Sequence, residues 1–227
     1  PLAGVSLATA PTAIGYAGRD DILVASFAPG TVAAGVLTQN SAAAAPVLWT
    51  RRRLANEDAP AALLINAGNA NCYTGQAGHR IVKDAAARAA AHLEARPENI
   101  YICSTGRIGQ QVPPRAMLDA IDTLADQRGD DNWHAAAKAI MTTDRWPKAA
   151  VVKVEANGGT ATLYGLAKGT SMLAPNMATT INAVFTDAKI SRADLQEALD
   201  AAVVTTYNSI SVDETTSTND SLLVFAT

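Results

Sequence analysis

The residues of this sequence that could carry chemistry gather in one stretch, Ala167-Lys168-Gly169-Thr170-Ser171-Met172-Leu173-Ala174-Pro175-Asn176-Met177-Ala178-Thr179-Thr180-Ile181. It is polar, broken by glycine and proline, and set between two apolar runs. Long irregular connections between strands often hold binding and catalytic groups. A hydroxyl there is a weak nucleophile at its own pKa and needs a base beside it. Residue types alone leave two readings of each candidate. Thr179 is a nucleophile, or a β-favouring residue that starts the next strand, and on composition the second prevails. Lys168 reads equally well as a solvated hairpin residue, and Ser104-Thr105-Gly106 as a simple turn after a strand.

The familiar catalytic sets do not occur. The sequence has no G-x-S-x-G elbow, no H-E-x-x-H, no P-loop and no G-x-G-x-x-G. His79, His92 and His134 fall within helical stretches or at their starts and read as surface or packing residues. Cys72 and Cys103 are too few for a disulfide scaffold and lack zinc-ligand spacing; they read as small buried residues in a reducing compartment.

The elements that must position these residues follow from hydrophobic pattern. Apolar runs predict strands at residues 22–27, 61–65, 99–103 and 181–186, with weaker candidates at 32–37 and 47–49. Residues 151–154 and 161–164 flank Asn157-Gly158-Gly159, the strongest hairpin signal in the chain. Asn66 to Asn71 reads as a polar turn, and Arg51-Arg52-Arg53 as a solvated edge. Helical spacing predicts a helix from about 78 to 95 closed by Pro97, one from Pro114 to Gly129, and one over about 131–141. A fourth starts at the N-cap Ser191, with Asp194 three residues on. Strands and helices mix without strict alternation, which favours an α+β layered sandwich over a doubly wound parallel sheet.

Composition removes several function classes. The chain has 227 residues, net charge -3, 48% hydrophobic, 17% charged and 5% aromatic residues. No basic field exists to recruit nucleic acid. No apolar run approaches the roughly 20 residues of a membrane span, and no signal peptide is read ahead of the first predicted strand. Charge is low against a usual share of roughly 25%, and alanine supplies about a fifth of the chain. Both point to surface buried between subunits.

Taken together, a series of blocks resembles the ornithine acetyltransferase family, the bifunctional glutamate N-acetyltransferases of arginine biosynthesis. They are Ala44-Ala-Pro-Val-Leu-Trp49, Leu64-Ile-Asn-Ala-Gly-Asn-Ala-Asn71, Ser104-Thr-Gly-Arg-Ile-Gly109 and Met141-Thr-Thr-Asp144 with Pro147-Lys148. Further on stand Lys168-Gly169, Ala174-Pro-Asn-Met-Ala-Thr179, Thr186-Asp-Ala188, Ser211-Val-Asp213 and Thr216-Ser-Thr-Asn-Asp220. The blocks keep the family's order and cover nearly the whole chain.

The resemblance implies a precursor that cuts itself at Ala178–Thr179, so that Thr179 becomes a new N-terminus and the nucleophile. It implies an oxyanion hole at Thr105 and Gly106, and substrate-binding roles for Thr142, Lys168 and Thr179. The implied reaction moves an acetyl group from N-acetylornithine to glutamate through an acetyl-threonine, with no cofactor; acetyl-CoA is an alternative acetyl donor in bifunctional members. The implied fold is a layered αββα sandwich. Residues 1–178 correspond to an alpha chain and 179–227 to the beginning of a beta chain in the same domain, with the C-terminal part missing. A cytoplasmic heterotetramer of two alpha and two beta chains is expected, with neither nucleic acid nor membrane as partner. Competing expectations are an N-terminal-nucleophile-like amidohydrolase or aminopeptidase, and an inactive truncated fragment. The sequence departs from the family pattern at Arg107, Ser171, Thr180, Arg145-Trp146 and Glu214-Thr215. Thr180 sets a second hydroxyl beside the cut.

Overall fold

The computed structural model describes residues 1–125, 127–156, 159–172, 174 and 180–227. In chain order the strands are β1 (Val5–Ala10), β2 (Ile22–Phe27), β3 (Val32–Leu37), β4 (Ala62–Asn69), β5 (Ile100–Arg107), β6 (Lys148–Ala156), β7 (Gly159–Lys168), β8 (Ile181–Thr186) and β9 (Ser221–Ala226). The helices are α1 (Ala45–Ala55), α2 (Gly75–His92), α3 (Pro114–Ala125), α4 (Trp133–Ala139) and α5 (Arg192–Thr205). The strands form two sheets, one ordered β1-β2-β4-β5 and the other β3-β9-β8-β7-β6.

The first sheet is buried on both faces, so its strands read as continuous apolar runs. Leu7, Leu23, Leu63, Ile65 and Tyr101 point to the second sheet, while Ile22, Val24, Leu64 and Ile102 meet α2 and α3. Alanines 85, 86, 89 and 90 give α2 a smooth buried face there. The second sheet turns Leu166, Ala183, Phe185, Leu223 and Phe225 inward and packs Leu222 and Val224 against Leu195, Leu199 and Val203 of α5. The layers therefore run helices, sheet, sheet, helix, as the αββα expectation has it. Aromatic rings fill the space between the sheets: Phe27 stacks on Phe225 at 4.4 Å, and Tyr101 meets Phe225 edge-on at 5.7 Å.

Some expectations need correction. Residues 47–49 are helical, not a strand. Pro46 sits in the first turn of α1, where its fixed φ suits a helix, and this overrides the β-preference of Val47 and Trp49. The helix also protects a sheet edge, because β5 ends the first sheet. Trp49 Nε1 donates to the Ile100 carbonyl at 2.8 Å. Thr50 Oγ1 donates to the Ile102 carbonyl at 2.7 Å and accepts its N–H at 2.9 Å. Arg53 is buried, stacked on Trp49 and paired with Asp58 at 3.2 Å, so only Arg51 and Arg52 fit the solvated-edge reading. The turn expected from Asn66 is still strand to Asn69. Strand β1 carries too many small residues to stand out in the sequence. The hairpin of β6 and β7 pairs as expected, while Asn157 and Gly158 lie outside the described residues. Among the described residues no helix is long and apolar enough to cross a membrane.

Candidate active site

The parallel pair β4–β5 runs in register to Gly68 opposite Gly106, then shifts at Gly68/Asn69. The shift is possible because both residues lack a side chain. Gly106 has φ +133°, and a Cβ on it would lie 2.2 Å from the Gly68 carbonyl carbon. A Cβ on Gly68, whose φ is +98°, would lie 2.6 Å from the Gly15 Cα. Three main chains thus stack directly on one another at this end of the sheet. Buried amides hold the strand ends behind them. Ser104 Oγ donates to Asn66 Oδ1 at 2.5 Å, and Asn66 Nδ2 donates to the Asn69 carbonyl at 2.9 Å. Asn219 Nδ2 donates to the carbonyls of Ala70 at 2.7 Å and Ser104 at 2.8 Å, tying the approach to β9 into the same knot.

Lys168 closes β7 on the opposite sheet and is 4% exposed. Its Nζ donates to Thr105 Oγ1 at 3.1 Å. Burial holds its pKa below the ordinary lysine value, although the charges of Asp144 and Asp220 pull the other way. Asp144 fixes the turn beside it. Its carboxylate accepts from the N–H of Gly169 at 2.9 Å, the N–H of Thr142 at 3.1 Å and Lys148 Nζ at 2.5 Å. Burial alone would raise the pKa of this acid. The Lys148 ammonium, the two N–H groups and the Lys168 charge outweigh burial and hold it below the usual carboxylate range.

Behind Lys168 lies a second buried acid. Asp220 is 0% exposed, and its Oδ1 accepts the Thr180 N–H at 2.8 Å. Burial pushes its carboxyl up to about 8, against the N–H groups of Thr180 and Ser217 and the Lys168 charge. The hydroxyl of Thr180 donates to the Lys168 carbonyl at 2.8 Å and accepts from Asn182 Nδ2 at 2.6 Å. It is a packed structural group, so the second hydroxyl expected beside the cut is already engaged.

Thr105, Gly106, Thr142 and Lys168 line one cleft of about 430 Å³, together with Gly15, Tyr16, Gly68, Arg107, Thr143, Thr170, Ser171 and Met172. The size suits an amino-acid derivative. Its walls offer several hydroxyls, its floor is main chain, and its cations are Lys168 inside and Arg107 at the exposed rim. Ala178 and Thr179 lie outside the described residues. Sequence reasoning assigned no role to Asp144, Asp220, Gly15 or Gly68. Asp144 and Asp220 stand inside blocks of the family resemblance, which could have pointed to them; Gly15 left no signal.

The ArgJ family model matches residues 7–227. The arginine biosynthesis bifunctional protein ArgJ of Gluconobacter oxydans (strain 621H) is 45% identical over 226 residues, which cover 100% of this chain and 53% of that protein. The chain spans about half the length of the curated relatives it matches. Among solved structures, the ornithine acetyltransferase from Mycobacterium tuberculosis complexed with ornithine gives a TM-score of 0.67 at 31% identity, covering 79% of this chain and 94% of that one. The arginine biosynthesis bifunctional protein from Bacillus halodurans gives 0.67 at 28% identity, covering 78% and 92%.

Proposed function

The chain belongs to the ArgJ family, and on that premise we propose that it carries the acetyl-transfer site of an arginine-biosynthesis enzyme whose nucleophile is Thr179. The observation that carries this reading is the meeting of Thr105, Gly106, Thr142 and Lys168 around one cleft, from three separate parts of the sequence. The segment that leads to Thr179 starts from that cleft, and Thr180 bonds back to the Lys168 carbonyl.

In the first step the Thr179 hydroxyl attacks the Ala178 carbonyl. The peptide C–N bond breaks as the C–O bond forms, the hydroxyl proton passes to the freed amine, and water then hydrolyses the Ala178 ester. The products are residues 1–178 and a chain that begins at Thr179. Each of the two solved relatives is covered almost end to end by just under four fifths of this chain. Residues 1–178 amount to a share of the same size, which supports the cut at this point. A free α-amino group titrates at about 7.7–8.0, so the new N-terminus brings its own base to the hydroxyl.

In the transfer step Thr179 attacks the acetyl carbonyl of N-acetylornithine, ornithine leaves, and glutamate takes the acetyl group from the threonine ester. Lys168 already donates to Thr105 Oγ1, so the Thr105 proton is left to point at the developing oxyanion beside Gly106. No cofactor is needed, and acetyl-CoA is the second acetyl donor if the site is bifunctional. The working form is a cytoplasmic heterotetramer of cut chains. An amidohydrolase would pass the acetyl group to water; membership of the ArgJ family favours transfer to glutamate.

Intact-mass measurement on the protein expressed from its gene tests the cut, and Thr179→Ala is expected to stay whole. Incubation with N-acetylornithine and glutamate tests the transfer. Free acetate in place of N-acetylglutamate would overturn it.

A further inference from the structure

We infer that Asp220 is a positioning residue for Thr179: its buried carboxyl grips the peptide unit that follows the nucleophile and so fixes how the Thr179 hydroxyl is presented. The inference rests on the reading of Thr179 given above. The Thr180 N–H belongs to the amide whose carbonyl is that of Thr179. Asp220 Oδ1 accepts this N–H at 2.8 Å. Every other polar group of Thr180 is also held. Its carbonyl accepts the Ser221 N–H at 3.0 Å, and its hydroxyl lies between the Lys168 carbonyl and Asn182 Nδ2. The chain is thus clamped one residue beyond Thr179, next to the first residues of β8 and β9, which pair in parallel with Ile181 opposite Ser221.

The carboxyl sits here at a cost. Asp220 is 0% exposed, with the N–H groups of Thr180 and Ser217 beside its carboxyl and no hydrogen bond of standard geometry to Oδ2 among the described residues. Taking such a group out of water is costly unless it is fully paired. An amide side chain would accept the same N–H without carrying a charge. The displaced pKa of Asp220 is the mark of the cost: folding favours its protonated form, so stability falls as pH rises from its unfolded value towards about 8.

The test compares the rate of cutting at Ala178–Thr179 by intact mass, and the melting temperature, for the protein expressed from its gene and for three variants. Asp220→Asn keeps an oxygen for the Thr180 N–H and is expected to cut within about tenfold of the original rate while melting no lower. Asp220→Leu keeps the volume but not the acceptor. It is expected to melt no lower and to cut about 100-fold more slowly, the scale of loss for a misplaced reacting group. Asp220→Ala should cut as slowly as the leucine variant, and it replaces that variant if leucine prevents folding.

Cutting by the leucine or alanine variant at the original rate overturns the inference. So does a folded asparagine variant as slow as leucine, or a loss of cutting that merely follows melting temperature across the series. An original protein that never cuts overturns the Thr179 reading first, before any variant is compared, and the inference falls with it.

Discussion

Lys168 Nζ lies 3.1 Å from Thr105 Oγ1, a hydrogen bond that joins the end of β7 in one sheet to the end of β5 in the other across 63 positions of sequence. The bond makes the lysine an orienting group as well as a cation. A buried ammonium aimed at a hydroxyl oxygen leaves that hydroxyl's own proton to be spent elsewhere.

Replacing Lys168 with Met therefore separates two roles. If the lysine orients Thr105, kcat for acetyl transfer falls by about 10²–10³ while KM for the acetyl donor changes little. If it chiefly clamps a substrate carboxylate, KM rises and kcat holds. Steady-state kinetics on the cut enzyme read the difference, and the first pattern is expected.

Asp144→Asn should lower stability at pH 7 by about 1–3 kcal/mol, since three donors lose a charged acceptor. The wild-type carboxyl titrates below its ordinary value in the folded state. Its contribution is therefore fully present above about pH 4 and lost as pH falls further, because the unfolded chain takes up the proton first. Urea melts at pH 7, 4 and 3 should show the gap between wild type and variant closing with acid.

Gly106→Ala and Gly109→Ala make a matched pair. Both positions have positive φ, +133° and +80°, but a Cβ at 106 would strike the Gly68 main chain while one at 109 meets nothing within 4 Å among the described residues. Gly109→Ala should cost about 1 kcal/mol, the penalty for a left-handed backbone. Gly106→Ala should cost about 3 kcal/mol or more and abolish transfer. Denaturant melts measure both.

Cys103 should resist thiol reagents. Burial pushes its thiol up to about 12, in spite of a hydrogen bond with Ser221. Thiol titration at pH 8 is expected to leave it unmodified in the folded protein and to reach it only in denaturant.

Much of the frame was legible in residues 22–27, 62–65 and 100–103, where burial on both faces writes an unbroken apolar run. Helix α5 announced itself through Ser191, whose hydroxyl accepts the Asp194 N–H at 3.2 Å. What stayed hidden has physical causes. Val47, Leu48 and Trp49 favour strands locally, and only the proline before them and the bare edge of β5 explain a helix there. Asn66 and Asn69 look like turn residues because asparagine tolerates left-handed backbone, yet both are buried strand residues held by each other and by Ser104. Within the site, Thr105, Gly106, Thr142 and Lys168 were found through family resemblance, while Asp144 and Asp220 needed the fold. Their chemistry lies in what they accept from distant main chain, and spacing along the sequence carries no trace of that.

The stacked glycines at 15, 68 and 106 bear on how this protein can change over generations. A floor made of main chain offers mutation no side chain to enlarge, shorten or recharge, and any added carbon displaces a neighbouring strand. Variation that alters what the cleft accepts has to enter through Thr142 and Thr143, through Thr170 to Met172, or through Arg107 at the rim. Reaction and preference are thereby inherited on separate tracks, the first locked in backbone and the second left open to selection.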